Sequence, residues 1–197
     1  MRYTKLYLTL VMFFLFFFAL PNSVFAFPKY KVALLAIINT ANLKTTEVSD
    51  LITYKIHRKL RCPFYEFIPN SEVNRLLQTV STQNQLISPD QKTLSFLSQT
   101  LSADIVIAVE VVRARADQQY TFSSWDENDQ TIETINVLLK YYAYSAKDNQ
   151  YYFIKAAKYT SEQLNFNSGL LYAVQTVTDE LLQKSPFKTI PESVLTK

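Results

Sequence analysis

Lys31-Val-Ala-Leu-Leu-Ala-Ile-Ile-Asn39 is an apolar run with no alternation of polar and apolar residues. A strand with one wet face would alternate. An unbroken run is the mark of a strand covered on both faces, and so of a central position in a sheet. Ala103-Asp-Ile-Val-Ile-Ala-Val-Glu-Val-Val112 reads the same way and continues toward Ala116. Between the two, Val48, Leu51, Ile52, Ile56 and Leu60 recur at helical spacing from about Thr46 to Arg61. Thr45 or Thr46 stands at the cap position, acidic residues lie early and basic ones late, and Pro63 stops the helix. Phe64 to Ile68 reads as a short strand. Pro69-Asn70-Ser71 opens a second helix, with Val73, Leu76, Leu77 and Val80 inward. Ser88-Pro89-Asp90 opens a third, with Ser88 as its cap and Leu94, Leu97 and Leu101 as its stripe. Strand, helix, strand, helices, strand is βαβ logic.

After Ala116 the pattern changes. Tyr120 to Trp125, Thr131 to Tyr144 and Tyr151 to Thr160 read as successive extended strands, separated by Asp126-Glu-Asn-Asp-Gln130 and Lys147-Asp-Asn-Gln150. Ile135, Val137, Leu139, Tyr141 and Ala143 alternate toward a core, while Thr134, Asn136, Lys140 and Tyr142 take the wet face. A last helix, 168–184, carries Leu170, Leu171, Val174, Val177, Leu181 and Leu182 in one stripe, and Pro186 ends it. The expected fold is a single α/β (α+β) domain over residues 27–186. It has one mixed sheet of about five to six strands with helices mainly on one face, in the order β-α-β-α-α-β-β-β-β-α. Residues 187–197 are expected to form a flexible tail.

The N-terminus reads as a secretory signal peptide, residues 1–26. Arg2 and Lys5 give the basic start, Leu6 to Leu20 the apolar core, and Val24-Phe25-Ala26 the small-x-Ala site, with Ala26 and Phe27 flanking the cut. The apolar core is about 15 residues long, short of the ~20 that cross a bilayer as a helix. The competing reading is an uncleaved anchor over residues 6–27, and only in that case is membrane contact expected. The expected location is extracytoplasmic: a bacterial periplasm or cell envelope. Without Arg2 and Lys5, the 20 basic residues fall to 18 against 17 acidic ones. That near-neutral balance excludes the strong basic field that nucleic acid attracts.

Catalytic motifs are scarce. The one glycine, Gly169, leaves no phosphate-cradling loop and no nucleophile elbow. The one histidine, His57, reads as a solvated residue on the polar side of its helix. The one cysteine, Cys62, forms no internal disulfide and reads as a small buried thiol. Asp126-Glu-Asn-Asp129 resembles the start of a calcium loop but lacks the glycine and the closing glutamate, and reads as a hairpin loop. Glu110, a carboxylate in an apolar strand, is expected to pair with Arg113, Arg115 or a facing lysine, because a buried unpaired charge is costly. Neither a cofactor nor a metal is expected. Tyrosines cluster on one hairpin with lysines between them. Tyr142, Tyr144, Tyr152 and Lys140 are the candidate interaction surface, since tyrosine buries a large ring at low entropic cost.

The order of segments resembles the periplasmic α/β domain shared by the TolB amino-terminal domain and CsgG-like envelope proteins. Four stretches carry it: Lys31 to Asn39, Ile68-Pro-Asn-Ser-Glu-Val-Asn-Arg-Leu-Leu77, Leu101-Ser-Ala-Asp-Ile-Val-Ile-Ala-Val-Glu110, and the closing hairpin with helix 168–184. The chain departs from that pattern in lacking a lipid-bearing cysteine after the apolar core and a glycine after the Ala-Asp strand, so no pore-forming role is carried over. The resemblance implies a non-enzymatic module that docks another envelope protein or helps assemble a complex. The alternatives are a small-ligand binding protein and a hydrolase using carboxylates such as Glu110 and Asp117.

Overall fold

The computed structural model describes residues 29–80, 88–121, 130–163 and 169–190. Ala26, Phe27 and the rest of the signal segment lie outside the described residues, as do the Asp126–Asp129 loop and positions 191–197. Among the described residues no helix is long and apolar enough to cross a membrane.

In chain order the elements are β1 (Tyr30–Leu34), β2 (Ile38–Asn39), α1 (Glu47–Lys59), β3 (Tyr65–Phe67), α2 (Asn70–Val80) and α3 (Gln91–Leu101). They continue with β4 (Ile105–Thr121), β5 (Gln130–Ser145), β6 (Gln150–Gln163) and α4 (Leu170–Lys184). The strands make one mixed six-stranded sheet in the order β3-β1-β4-β5-β6, with the two-residue β2 also pairing β4. β1 runs parallel to β3 and β4, whereas β4, β5 and β6 are antiparallel. The expected α/β class, strand number and sequence of helices are all present. The sixth strand, however, is Ile38–Asn39: the segment expected at 120–125 is, as far as Thr121, the far end of β4.

Both apolar runs are central strands, and their side chains serve two cores. Val32 and Leu34 of β1, with Ile105, Ile107, Val109 and Val111 of β4, face the larger core. It is closed by Val48, Ile52 and Ile56 of α1 and by Ala173, Val174, Val177, Leu181 and Leu182 of α4. Lys55 of α1 ties the two helices by an ion pair to Asp179 at 2.8 Å. Ala33, Leu35, Val106 and Ala108 face the other way, under Val73 of α2 and Leu94 and Leu97 of α3. The weighting toward one face thus lies in the size of the core, with two helices on each side. The Ala103-Asp104 step has a structural role: Asp104 accepts from the Lys31 N–H at 2.7 Å through its carboxylate and donates its own N–H to the Lys31 carbonyl at 2.9 Å. It pins β1 to the start of β4.

Local chemistry moves some expected boundaries. The cap of α3 is Asp90, whose carboxylate accepts from the Thr93 N–H at 2.8 Å; Ser88 and Pro89 lie before the helix. Thr46 stands at the cap position of α1, but its side chain makes no cap bond. Cys62 is exposed rather than buried, because it sits in the surface turn that follows α1. At the far end of the chain Phe187 packs edge-on against Tyr152, with ring centroids 5.9 Å apart, and the Lys188 carbonyl accepts from the Tyr65 hydroxyl.

One length mismatch shapes everything that follows. β5 has 16 residues, about 53 Å of strand. α4 has 15 residues, or about 22 Å, and α2 and α3 have 11 each, about 16 Å. No helix among the described residues is long enough to roof this ribbon. On the face under α2 and α3 the cover ends near Tyr144, and the remainder of β4, β5 and β6 meets solvent.

Candidate functional site

At the border between covered and bare sheet stands Glu110. Its side chain is only 14% exposed, and it accepts from the Tyr142 hydroxyl at 2.7 Å, the Thr40 hydroxyl at 2.8 Å and the Lys140 ammonium at 3.2 Å. The expected pairing is present, and its partner is the facing lysine: Lys140 lies directly opposite Glu110 in the β4–β5 register. Burial alone would raise the Glu110 carboxyl. The hydrogen bonds from Tyr142, Thr40 and Lys140 outweigh it and hold the group below the ordinary glutamate value. Tyr142 moves the other way, its phenol pushed well up by burial and by the hydrogen bond it gives Glu110.

Beyond this cluster the open face carries Phe153, Lys155, Ala157 and Tyr159 of β6 and Arg113 and Arg115 of β4. Phe153 is 51% exposed and Tyr159 68%, high values for such large rings. A β-bulge between Val111 and Arg113 puts both arginines on this face, opposite Leu138 and Asn136. An open groove of about 530 Å³ runs across it, from Thr40 and Val112 past Arg113 and Arg115 to Tyr159. Phe153 leans on Tyr142, with centroids 5.3 Å apart, and so joins the bare patch to the Glu110 cluster. The result is a flat surface of rings and guanidinium groups on a sheet backbone, a composition common at the centre of protein interfaces.

Of the four residues expected to form the interaction surface, Tyr142 and Lys140 are brought together on Glu110, and Tyr144 and Tyr152 lie apart from them. Tyr144 is 5% exposed and belongs to the smaller core: its hydroxyl donates to Asn149 at 2.8 Å and accepts from Ser95 at 3.3 Å. It lies on the predicted face, but α3 covers that end. Tyr142 and Lys140 are half-buried and committed to Glu110. Tyr152 is on the opposite side of the sheet, against Phe187, with its hydroxyl donating to Gln150 at 2.7 Å. Phe153 and Tyr159 stand exposed on the open face outside that expected set. The period of two along β6, counted from Tyr151, is the signal that places them on one face.

The other candidates for chemistry also separate. Glu110 and Asp117 are seven positions apart on one strand, roughly 20 Å, farther than a pair of catalytic carboxylates stands. Asp117 is taken by Arg115 at 2.7 Å. His57, expected on the wet side of its helix, lies with its ring 3.9 Å from that of Phe67; partial burial lowers its pKa. No group of three or more His, Cys, Asp or Glu positioned to hold a metal occurs among the described residues.

No family model and no curated protein matches the sequence. Solved structures do match, at low identity. The hypothetical protein CT253 from Chlamydia trachomatis is 17% identical over 79% of this chain and 95% of its own, with a TM-score of 0.42. Lipoprotein GNA1162 from Neisseria meningitidis is 14% identical over 79% of this chain and 99% of its own, TM-score 0.42. The LpoB C-terminal domain from Salmonella enterica is 8% identical over 71% of this chain and 87% of its own, TM-score 0.43. These are bacterial proteins of a related kind of fold, and no TolB or CsgG domain is among the three. At such scores the likeness says nothing of what this chain does.

Proposed function

We propose that this chain is an exported, non-enzymatic docking module and that it binds another envelope protein through the bare half of its sheet. The observation that carries this reading is the exposure of Phe153 and Tyr159 beside Arg113, Arg115 and Lys155. Large rings left half or more in water on a rigid ladder are only partly explained by folding, since the exposed part of each adds little there. They are well explained by a partner that covers them, because desolvated aromatic and arginine side chains dominate interface energies.

The test is site-specific photo-crosslinking in the host. A photoreactive side chain at Tyr159 should give a discrete heavier species, and the same group at Tyr54, an exposed ring on α1, should give none. Phe153→Ala should weaken the complex about 30-fold or more, the range of a hot-spot truncation, without changing the melting temperature. Equal crosslinking at both positions would remove the case for this face.

Export is part of the same proposal and rests on the N-terminal sequence. Mature protein from the host is expected to begin at Phe27, as read by N-terminal sequencing, and Ala26→Lys should leave the precursor in the membrane fraction. An intact N-terminus on the unmodified chain would establish the anchored alternative instead.

A further inference from the structure

The sheet has a second unused feature, an open backbone edge that borders the docking face and shares Arg115 with it. β1 and β2 pair with β4 only as far as Val111, and from Val112 to Thr121 no described strand lies along that edge. The bare stretch contains no proline, one of the residues by which proteins commonly blunt an open edge, though it does carry the bulge at Val112 and the charges of Arg113, Arg115 and Asp117. The other edge, β6, carries Lys155 and Lys158, a common defence.

The direction of the backbone on this edge follows from the ladder. Ile107 and Val111 give their carbonyls to the N–H groups of Leu35 and Ala41, at 2.9 and 3.0 Å. Odd residues before the bulge therefore aim their backbone outward from β5, and even ones toward it. The extra residue at Val112 reverses the phase. Arg113, Arg115 and Asp117 pair with Leu138, Asn136 and Thr134, which leaves the exposed Ala116 and Gln118 aiming their N–H and C=O groups outward, while Ala114, 6% exposed, is covered.

We infer that this edge pairs with the same edge of a second copy, antiparallel about a two-fold axis at Ala116, to make a dimer with one continuous sheet. Charge selects both the occupant and the register. With Ala116 opposite the partner's Ala116, Arg115 faces the partner's Asp117 and Asp117 faces the partner's Arg115, all on one side of the sheet. The Arg115–Asp117 pair already present within one chain, at 2.7 Å, closes into a ring of four alternating charges. Slipping the partner by two residues, the smallest slip that keeps outward groups opposite outward groups, puts Arg115 against Arg115 in one direction and Asp117 against Asp117 in the other, and like charges directly opposite destabilise a ladder. In the favoured register Ala116 meets the partner's Ala116, so outward groups pair with outward groups at the centre of the exposed stretch. The axis is perpendicular to the sheet and places the two Tyr159 faces side by side.

The test uses the mature chain in sedimentation equilibrium and a charge-swap cycle. The unmodified protein should have twice the monomer mass at micromolar concentration. Asp117→Arg should weaken association about tenfold or more, since two cross-strand attractions become repulsions. Arg115→Asp should do the same, and the double exchange Arg115→Asp with Asp117→Arg should restore the dimer. In a Cys62→Ser background, Ala116→Cys should cross-link to itself on mild oxidation, because directly paired residues lie within disulfide reach. A monomer throughout the concentration range overturns the inference. So does failure of the double exchange to restore the dimer in a chain that melts normally, or a thiol at position 116 that links only to some other protein.

Discussion

Tyr144→Ala is expected to cost about 3–5 kcal/mol of folding stability, a large share of the roughly 5–15 kcal/mol that holds a domain together. The ring is 5% exposed and sits among Leu35, Leu97 and Val106 in the smaller core. Removing it leaves a cavity that α3 cannot close without leaving the sheet. It also strips a hydrogen-bond partner from Asn149 and from Ser95. Tyr144→Phe separates the two effects: the ring stays, the hydroxyl goes, and about 1 kcal/mol should be lost. Tyr159→Ala, also a tyrosine on that side of the sheet but 68% exposed, should change stability by no more than about 0.5 kcal/mol. Urea denaturation of the three variants reads all of this from the midpoints. A Tyr144→Ala midpoint within error of the parent would show that α3 does not rest on this ring.

Glu110→Ala should be the most destabilising charge removal, at about 2 kcal/mol. It deletes the common acceptor of Tyr142, Thr40 and Lys140 and strands a lysine whose side chain is 32% exposed. That exposure keeps the figure below the cost of a fully buried broken pair. The pH dependence has a definite sign. The folded carboxyl titrates below its unfolded value of about 4.3, so the unfolded chain binds the proton first as pH falls. The stabilisation is complete above that value and is lost as the pH drops through the folded pKa. Glu110→Gln should therefore flatten the stability profile as the pH falls below about 5. An unchanged slope would mean that the carboxylate is no better stabilised folded than unfolded.

The sequence was informative where burial on both faces leaves a signature in composition. Val32-Ala33-Leu34-Leu35 is apolar at every position because α1 lies below it and α2 with α3 above. The stripe of α4 is legible for a similar reason: one face of a helix meets one core. Tyr144 and Tyr159 show where this stops. Each is a tyrosine in a strand, and what separates them is whether a helix of about 16 Å reaches far enough along a strand of about 53 Å. That is a property of the assembled layers and leaves no trace next to either residue. Cys62 is a second case, since nothing local to it says that the turn after α1 faces outward. The Glu110 pair was legible because a carboxylate among apolar neighbours must find a cation, and antiparallel pairing supplies Lys140.

The bulge at Val112 gives β4 a reading frame. Before it the odd residues Ile105, Ile107, Val109 and Val111 belong to the larger core; after it the even residue Ala114 does. Deleting a residue elsewhere in the strand would shift every side chain beyond it to the wrong side, driving Arg113 or Arg115 beneath α4. Deleting Val112 itself would not, because Val111 already pairs Leu139 and Arg113 already pairs Leu138. Among the described residues of β4, this is the place where the chain can lose a residue and keep its sense. Natural length variation in the strand should therefore collect there and be purged from the rest.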